Sequence, residues 1–353
     1  MQWGVCQIVR NYPGRQELVV VVGATTSKAM NYPDLTGTCQ PGDRILLNTT
    51  AEQLQLGTGG WHYVLAIHGR ERSLSKKGHI MKLRYTPLQG RTLSVEEADS
   101  PYHNIMAQAD SLEGLPVAVG SLHSMLAPLA WTLKQQGSFK RLVYLMSDGA
   151  ALPLGFSKVV HLLKTRGLIH KTITFGHAFG GDLEAVNIYS ALLAARHVVG
   201  ADCALVLMGP GVVGTQTTWG TTAIEQGVFL NAVIQLGGVA VAIARMSEKD
   251  PRPRHRGLSH HTQTVLRRVV QDQVCLPLPH CFQTFPQGME QLKELQHQIV
   301  WEQTEESFKH LFKADLPFST MGRGLRDDPL FFHGVLATAL FLVRRETSGS
   351  SLC

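Results

Sequence analysis

Three arginines and three histidines fall within Asp250–His261, D-P-R-P-R-H-R-G-L-S-H-H. The run lies between an apolar segment, Val239–Ala244, and a helix-like stretch, Thr262–Gln271. A loop this cationic at a strand end is a candidate anion site. Pro251 and Pro253 fix φ and favour an extended chain. With side chains alternating, Arg252, Arg254 and Arg256 would then share one face, where three guanidiniums suit phosphate or carboxylate oxygens. Ser259 is a good N-cap, which puts His260 and His261 in the first turn of a helix. There the macrodipole and the arginines both disfavour imidazolium, and a neutral imidazole can act as a base or hold a metal. The plainer alternative is a solvated basic loop closed by a capping serine.

Polar residues also follow four earlier apolar runs. The first run leads into Gly120-Ser121-Leu122-His123-Ser124, and the second into Ser147-Asp148-Gly149. The third leads into Gly176-His177-Ala178-Phe179-Gly180-Gly181-Asp182, and the fourth into Gly209–Thr217. His177 and Asp182 could form an acid–base pair or, with Asp148 and His260, hold a divalent metal. Asp182 reads equally as an N-cap and Asp148 as a turn residue. Ser121 and His123 could contact substrate, although the lipase-type GxSxG elbow is absent.

Gly209–Gly214 matches GxGxxG, which keeps a nicotinamide-dependent oxidoreductase in view. Thr215–Gly220 looks irregular where that fingerprint needs a helix, and the next strand ends in Arg245 instead of an acid. A phosphate loop lined by Gly209 and Gly211, with Thr215 and Thr217 as donors, fits better. HExxH, Walker A and EF-hand patterns are absent.

These residues need elements to hold them. From Leu115 onward, short apolar runs alternate with helical periods. The strands are Pro116–Val119, Arg141–Met146, His170–Phe175, Cys203–Met208 and Val239–Ala244. Helices are expected around Ser124–Gln136, Phe156–Arg166, Leu183–Val199 and Thr221–Leu236. This is the signature of an α/β fold, a Rossmann-like, doubly wound and mostly parallel sheet. Ligands of such sheets bind beyond the carboxyl ends of the strands.

The N-terminal third reads differently. Val5–Arg10, Glu17–Val22, Arg44–Asn48 and Trp61–Ile67 are strand-like and punctuated by Pro-Gly and glycine-rich turns, which suggests a small β-barrel or sandwich. The resulting division is a β-rich unit over 1–95, a linker over 96–114 and the α/β unit over 115–353. Beyond Val274, helices are expected at Met289–Gln298, Ser307–Ala314 and Leu330–Val343, packing on the sheet or forming a homo-oligomer contact.

At 353 residues, with 44% hydrophobic residues, the chain can bury two cores. A net charge of +6 is too small to indicate nucleic acid by itself, and leaves that partner open. The N-terminus lacks the basic and apolar regions of a signal peptide. The longest apolar run falls short of the ~20 residues that span a bilayer, so a cytoplasmic location is expected. Six cysteines without CxxC spacing give neither a zinc ribbon nor a disulfide framework.

G-S-L-H-S-M-L-A-P, M-S-D-G-A-A-L-P, F-G-H-A-F-G-G-D-L-E-A-V-N, M-G-P-G-V-V-G-T and D-P-R-P-R-H-R-G-L-S-H-H-T occur in this order. With P-G-D-R-I-L-L-N-T-T-A and L-G-T-G-G-W-H near the N-terminus, they resemble an uncharacterised bacterial family, a domain of unknown function. The resemblance implies a bacterial cytoplasmic protein and supplies no activity or catalytic residue. The residues themselves lead us to expect a hydrolase or group transferase acting on a small phosphorylated or anionic metabolite. A divalent metal is the candidate cofactor. Non-enzymatic metabolite sensing and nucleic-acid binding are the competitors.

Overall fold

The computed structural model describes residues 1–54, 60–71, 77–137 and 139–348. Most of the glycine-rich turn expected at 57–60 lies outside them, as does most of the basic stretch 70–77, which the sequence leads us to expect as a solvated loop.

Gly14, at φ +73°, makes the tight turn between β1 (Gln2–Tyr12) and β2 (Arg15–Val22). With β3 (Thr25–Asn31), β4 (Arg44–Asn48) and β5 (Trp61–Ile67) they close a barrel in the order β1-β2-β3-β5-β4. Alternation puts Leu18, Val20, Ile45 and Leu47 inside, around Cys6 and Val64. Closure removes the exposed sheet edges and excludes the sandwich alternative. A short antiparallel pair, β6 (Ile80–Lys82) and β7 (Gly90–Thr92), follows.

The second unit is a sheet of eight strands, every neighbouring pair parallel. In chain order these are β8 (Pro116–Gly120), β9 (Leu142–Ser147), β10 (Lys171–Phe175), β11 (Leu183–Ala185), β12 (Cys203–Met208) and β13 (Val239–Ala242). A small antiparallel pair intervenes, β14 (Met246–Ser247) and β15 (Gly257–Leu258), before β16 (Cys275–Pro279) and β17 (Gln298–Glu302) complete the sheet. Their spatial order is β11-β10-β9-β12-β8-β13-β16-β17. The chain enters in the middle, builds one side, returns to insert β12 and then builds the other side.

This route decides which face each helix covers. Leu126–Gln136 and Lys158–Thr165, which follow β8 and β9, share a core with the long helix Pro329–Ser348. Ile188–Leu193 and Glu225–Gln235, which follow β11 and β12, pack on the opposite face with the helical segments from His260 to Val269. Helices therefore leave adjacent strands β8 and β12 toward opposite faces. That divergence opens the crevice in which ligands of α/β sheets sit.

Three strands go beyond the five expected. Leu183–Ala185, read as the start of a helix, is β11. The helix begins only at Ile188, capped by Asn187, whose side chain accepts the Ser190 N–H at 3.1 Å. The expected helix at Met289–Gln298 is one short turn, Gly288–Leu292, and the chain is already in β17 at Gln298. Pro277 and Pro279 disguise β16. Lacking N–H donors, this strand pairs at five positions with β17 and at one with β13.

The barrel is fastened to the carboxyl-end loops of the sheet. The buried Arg15 guanidinium donates to the Gly155 carbonyl at 2.8 Å and to Glu17 at 3.3 Å, while Lys158 reaches Glu17 at 2.8 Å. A Cβ on Gly155 would lie 2.8 Å from the Gly14 carbonyl, so the two backbones meet where only glycine fits. Beyond the barrel, Lys82 donates to the Gly176 carbonyl at 2.8 Å. No helix among the described residues is long and apolar enough to cross a membrane.

Candidate functional site

The Asp250–His261 loop leaves β14 and returns as β15, folding into a compact knot. It is not the extended ribbon that its prolines suggested: Pro253–His255 is a 3₁₀ turn. Arg252, Arg254 and Arg256 consequently do not act as one row. Arg252 closes on the buried Asp250 through two bonds of 2.9 Å, and Arg256 Nε donates to the Asp250 carbonyl at 3.0 Å. Arg245 and Arg323 approach the same carboxylate at 3.5 Å, and Arg323 also pairs with the buried Asp328 at 3.0 Å. Burial alone would raise Asp250, but the hydrogen bonds and charge of Arg252 hold it well below the carboxylate range. Arg254 keeps a buried Nε with no hydrogen-bond partner. Four guanidiniums around two carboxylates leave the loop positive.

The knot brings His255, His260 and His261 together. One ring nitrogen from each lies within 4.8 Å of the others, and the ring centroids are 4.2–4.9 Å apart. Ser259 positions them twice over: its hydroxyl accepts the His261 backbone N–H at 3.3 Å and meets His255 Nδ1 at 2.7 Å. The expected cap and first-turn histidines are therefore present. Burial, then the Arg245 charge, pushes His255 down to about 3. Burial, then His260 and Arg245, brings His261 to about 3, and burial with the Arg254 charge lowers His260. All three rings are neutral at pH 7 and carry lone pairs.

The Nε2 atoms of His255 and His260 are buried without a hydrogen-bond partner. The Arg245 guanidinium can only donate, so His261 Nδ1, 3.5 Å away, carries a lone pair that this long contact holds toward the arginine. Three clustered imidazoles, two of which carry an unpartnered Nε2, fit a divalent transition metal such as zinc, with coordination positions left over for water or substrate. The Ser259–His255 contact is the kind of outer-shell bond that orients a metal-binding ring.

A second group of polar residues lies at the tip of β9. Ser147 donates to Glu225 at 2.9 Å, and Asp148 accepts the His177 backbone N–H at 2.8 Å. Gly149 lies against the Glu225 carboxylate and Gly176, at φ +64°, against Asp148. In each place a Cβ would displace the acid. Burial raises Glu225, opposed by its Ser147 hydrogen bond, and the Asp148 charge adds to the rise.

Gly209–Gly214 connects the two groups. Gly209 packs on Ala151, just beyond the β9 tip, and a Cβ on Gly214 would lie 3.2 Å from the His261 ring. The loop does not form a dinucleotide fingerprint. The next α-helix begins only at Glu225, after the 3₁₀ turn Thr222–Ile224, so no helix N-terminus faces the glycines. Thr215 and Thr217 bond each other at 3.0 Å and close a turn with Gly220, leaving both hydroxyls occupied.

Other candidates lie apart. Asp182 does not pair with His177. It turns back along β10 to accept the Thr172 N–H at 2.8 Å and Lys164 at 2.6 Å. His177 Nδ1 accepts the Leu83 N–H at 3.0 Å, and its Nε2 lies 3.2 Å from Arg84. His123 is half-buried between Ser157 at 2.7 Å and Tyr144 at 3.3 Å, with desolvation pushing it to about 4. Ser121 is buried with an unpartnered hydroxyl.

Sequence reasoning passed over His255, Arg323 and Glu225, and met Arg245 only as a strand-end residue where a dinucleotide site wants an acid. His255 lay inside the chosen run but was crowded by arginines. Glu225 resembled an ordinary first-turn acid, and nothing local marked Arg323, which arrives from far along the chain.

The family described as a protein of unknown function, DUF3866, matches residues 28–339. No curated protein and no solved structure matches the chain. The matched span covers the barrel from within β3, the whole parallel sheet and the histidine–arginine loop, so the chain belongs to the DUF3866 family.

Proposed function

We propose that the protein is a metal-assisted hydrolase or group transferase acting on a small anionic metabolite, such as a phosphate ester. The observation that carries this reading is the convergence of three neutral imidazoles beside the uncommitted Arg254 Nε. When bound, a divalent metal polarises a water or a substrate oxygen. His255, His260 and His261 offer lone pairs, and Arg254 meets the anion. The arginines make the pairing coherent: they repel a bare cation but favour a cation that arrives with, or then recruits, an oxyanion. Glu225, with its raised carboxyl, is suited to hold a proton for the leaving group.

Calorimetry of the zinc-loaded protein with inorganic phosphate tests this reading. Arg254→Ala is expected to weaken phosphate binding by about 10- to 100-fold, the loss of a charge-assisted hydrogen bond of about 1.5–3 kcal/mol. Failure of the folded, zinc-loaded wild type to bind phosphate would count against the reading.

A further inference from the structure

We propose that the cavity between the barrel and the sheet holds a planar, largely apolar ring of the substrate, so that the barrel forms part of the active site. The inference rests on the anion reading above and extends it to the substrate's organic body. The cavity measures about 430 Å³ and is lined from both units. Tyr32, Leu35 and Tyr63 come from the barrel side, while Leu152, Phe156 and Phe179 come from the loops beyond β9 and β10. Its size and apolar, aromatic walls are those of a small-ligand pocket, and an interface between units is where such pockets recur.

Three observations favour a ring. The Tyr32 and Tyr63 rings that line the cavity are nearly parallel, 15° apart with centroids at 6.5 Å, an orientation a further flat ring can join. Their hydroxyls have no hydrogen-bond partner among the described residues, which leaves two polar groups for ring substituents. Pro210 and Gly211 line the cavity, while Gly214, on the same loop, touches His261. Three residues span at most about 11 Å, so the loop Pro210–Gly214 joins the cavity to the His261 ring, and a substrate occupying both places needs a linker of several atoms between ring and oxyanion. Gly211 (φ +116°) has nothing within 4 Å of where a Cβ would sit, so the loop does not crowd the cavity there.

4-Phenylbutyl phosphate, inorganic phosphate and phenol separate the cavity from the anion site. Each is titrated into zinc-loaded wild type and into Leu35→Trp, which fills the cavity from a partly exposed position, with Tyr63→Leu as a second variant. 4-Phenylbutyl phosphate should bind wild type at least about ten-fold more tightly than inorganic phosphate, from burial of the ring. In either variant that ratio should fall toward one. Equal affinities in wild type, or a ratio unchanged by both variants, would overturn the proposal. If neither phosphate binds, phenol decides. Phenol binding that Leu35→Trp abolishes upholds the cavity while the anion reading fails; no phenol binding overturns the cavity as well.

Discussion

His260→Asn is expected to weaken zinc binding by more than about 100-fold, because loss of outer-shell partners alone costs about 10- to 100-fold and His260 is argued to be a direct ligand. The position suits the test. His260 is only partly buried and its Nε2 makes no hydrogen bond, so the substitution breaks no internal pairing. The metal-free variant should therefore unfold in urea within about 1 kcal/mol of wild type. Competition with a chromophoric chelator measures the affinity. Unchanged zinc affinity would remove His260 from the centre. A collapse of metal-free stability would show the ring to be a packing element instead.

The second large effect is acid lability of the metal-free protein. His255 and His261 are buried and His123 is half-buried, and they are held at about 3, 3 and 4, against about 6.5 in an unfolded chain. Between those limits the unfolded state binds more protons than the folded one, so stability falls as pH falls. Each such histidine costs up to about 1.4 kcal/mol per pH unit. Together they reach about 4 kcal/mol per unit below pH 6, enough to unfold a domain of ordinary stability near pH 4–5. The raised carboxyls Glu184 and Glu225 act in the opposite sense, since their folded forms take up protons more readily, and so soften the lower part of the fall. Urea unfolding in chelator at pH 7.5, 6 and 5 gives the slope. A flat profile would mean that the rings are not held neutral by their surroundings. Zinc should restore stability most at pH 7.5 and least at pH 5, because protons compete for the same nitrogens.

Periodicity made the architecture legible wherever a strand was a continuous β-branched or aliphatic run. Cys203–Met208 and Leu142–Ser147, buried along their whole length, could be read in this way. Strands governed by tertiary context could not. Leu183–Ala185 is three residues long, and Thr25–Asn31 is polar over its first half and buried only at its end. The prolines of Cys275–Pro279 argue against a strand until a neighbour that pairs without them is known.

The site was half legible for a similar reason. Local chemistry identified Ser259 as a cap and His260 and His261 as first-turn residues, because capping involves near neighbours. Local chemistry could not show that Asp250 would neutralise Arg252, or that Arg323 would join it from 73 residues away. Nor could it show that Asp182 would be drawn back to Thr172 and Lys164, leaving His177 to the Leu83 N–H. Those outcomes depend on which buried carboxylate each cation reaches first, and that is settled only when the chain has folded.

The convergent imidazoles are tested most directly by the metal content of the purified protein, followed by titration with zinc, iron and manganese. About one equivalent of a divalent transition metal per chain, retained through gel filtration and lost in His260→Asn, is the predicted result. A folded wild-type protein that binds none of these metals would contradict it.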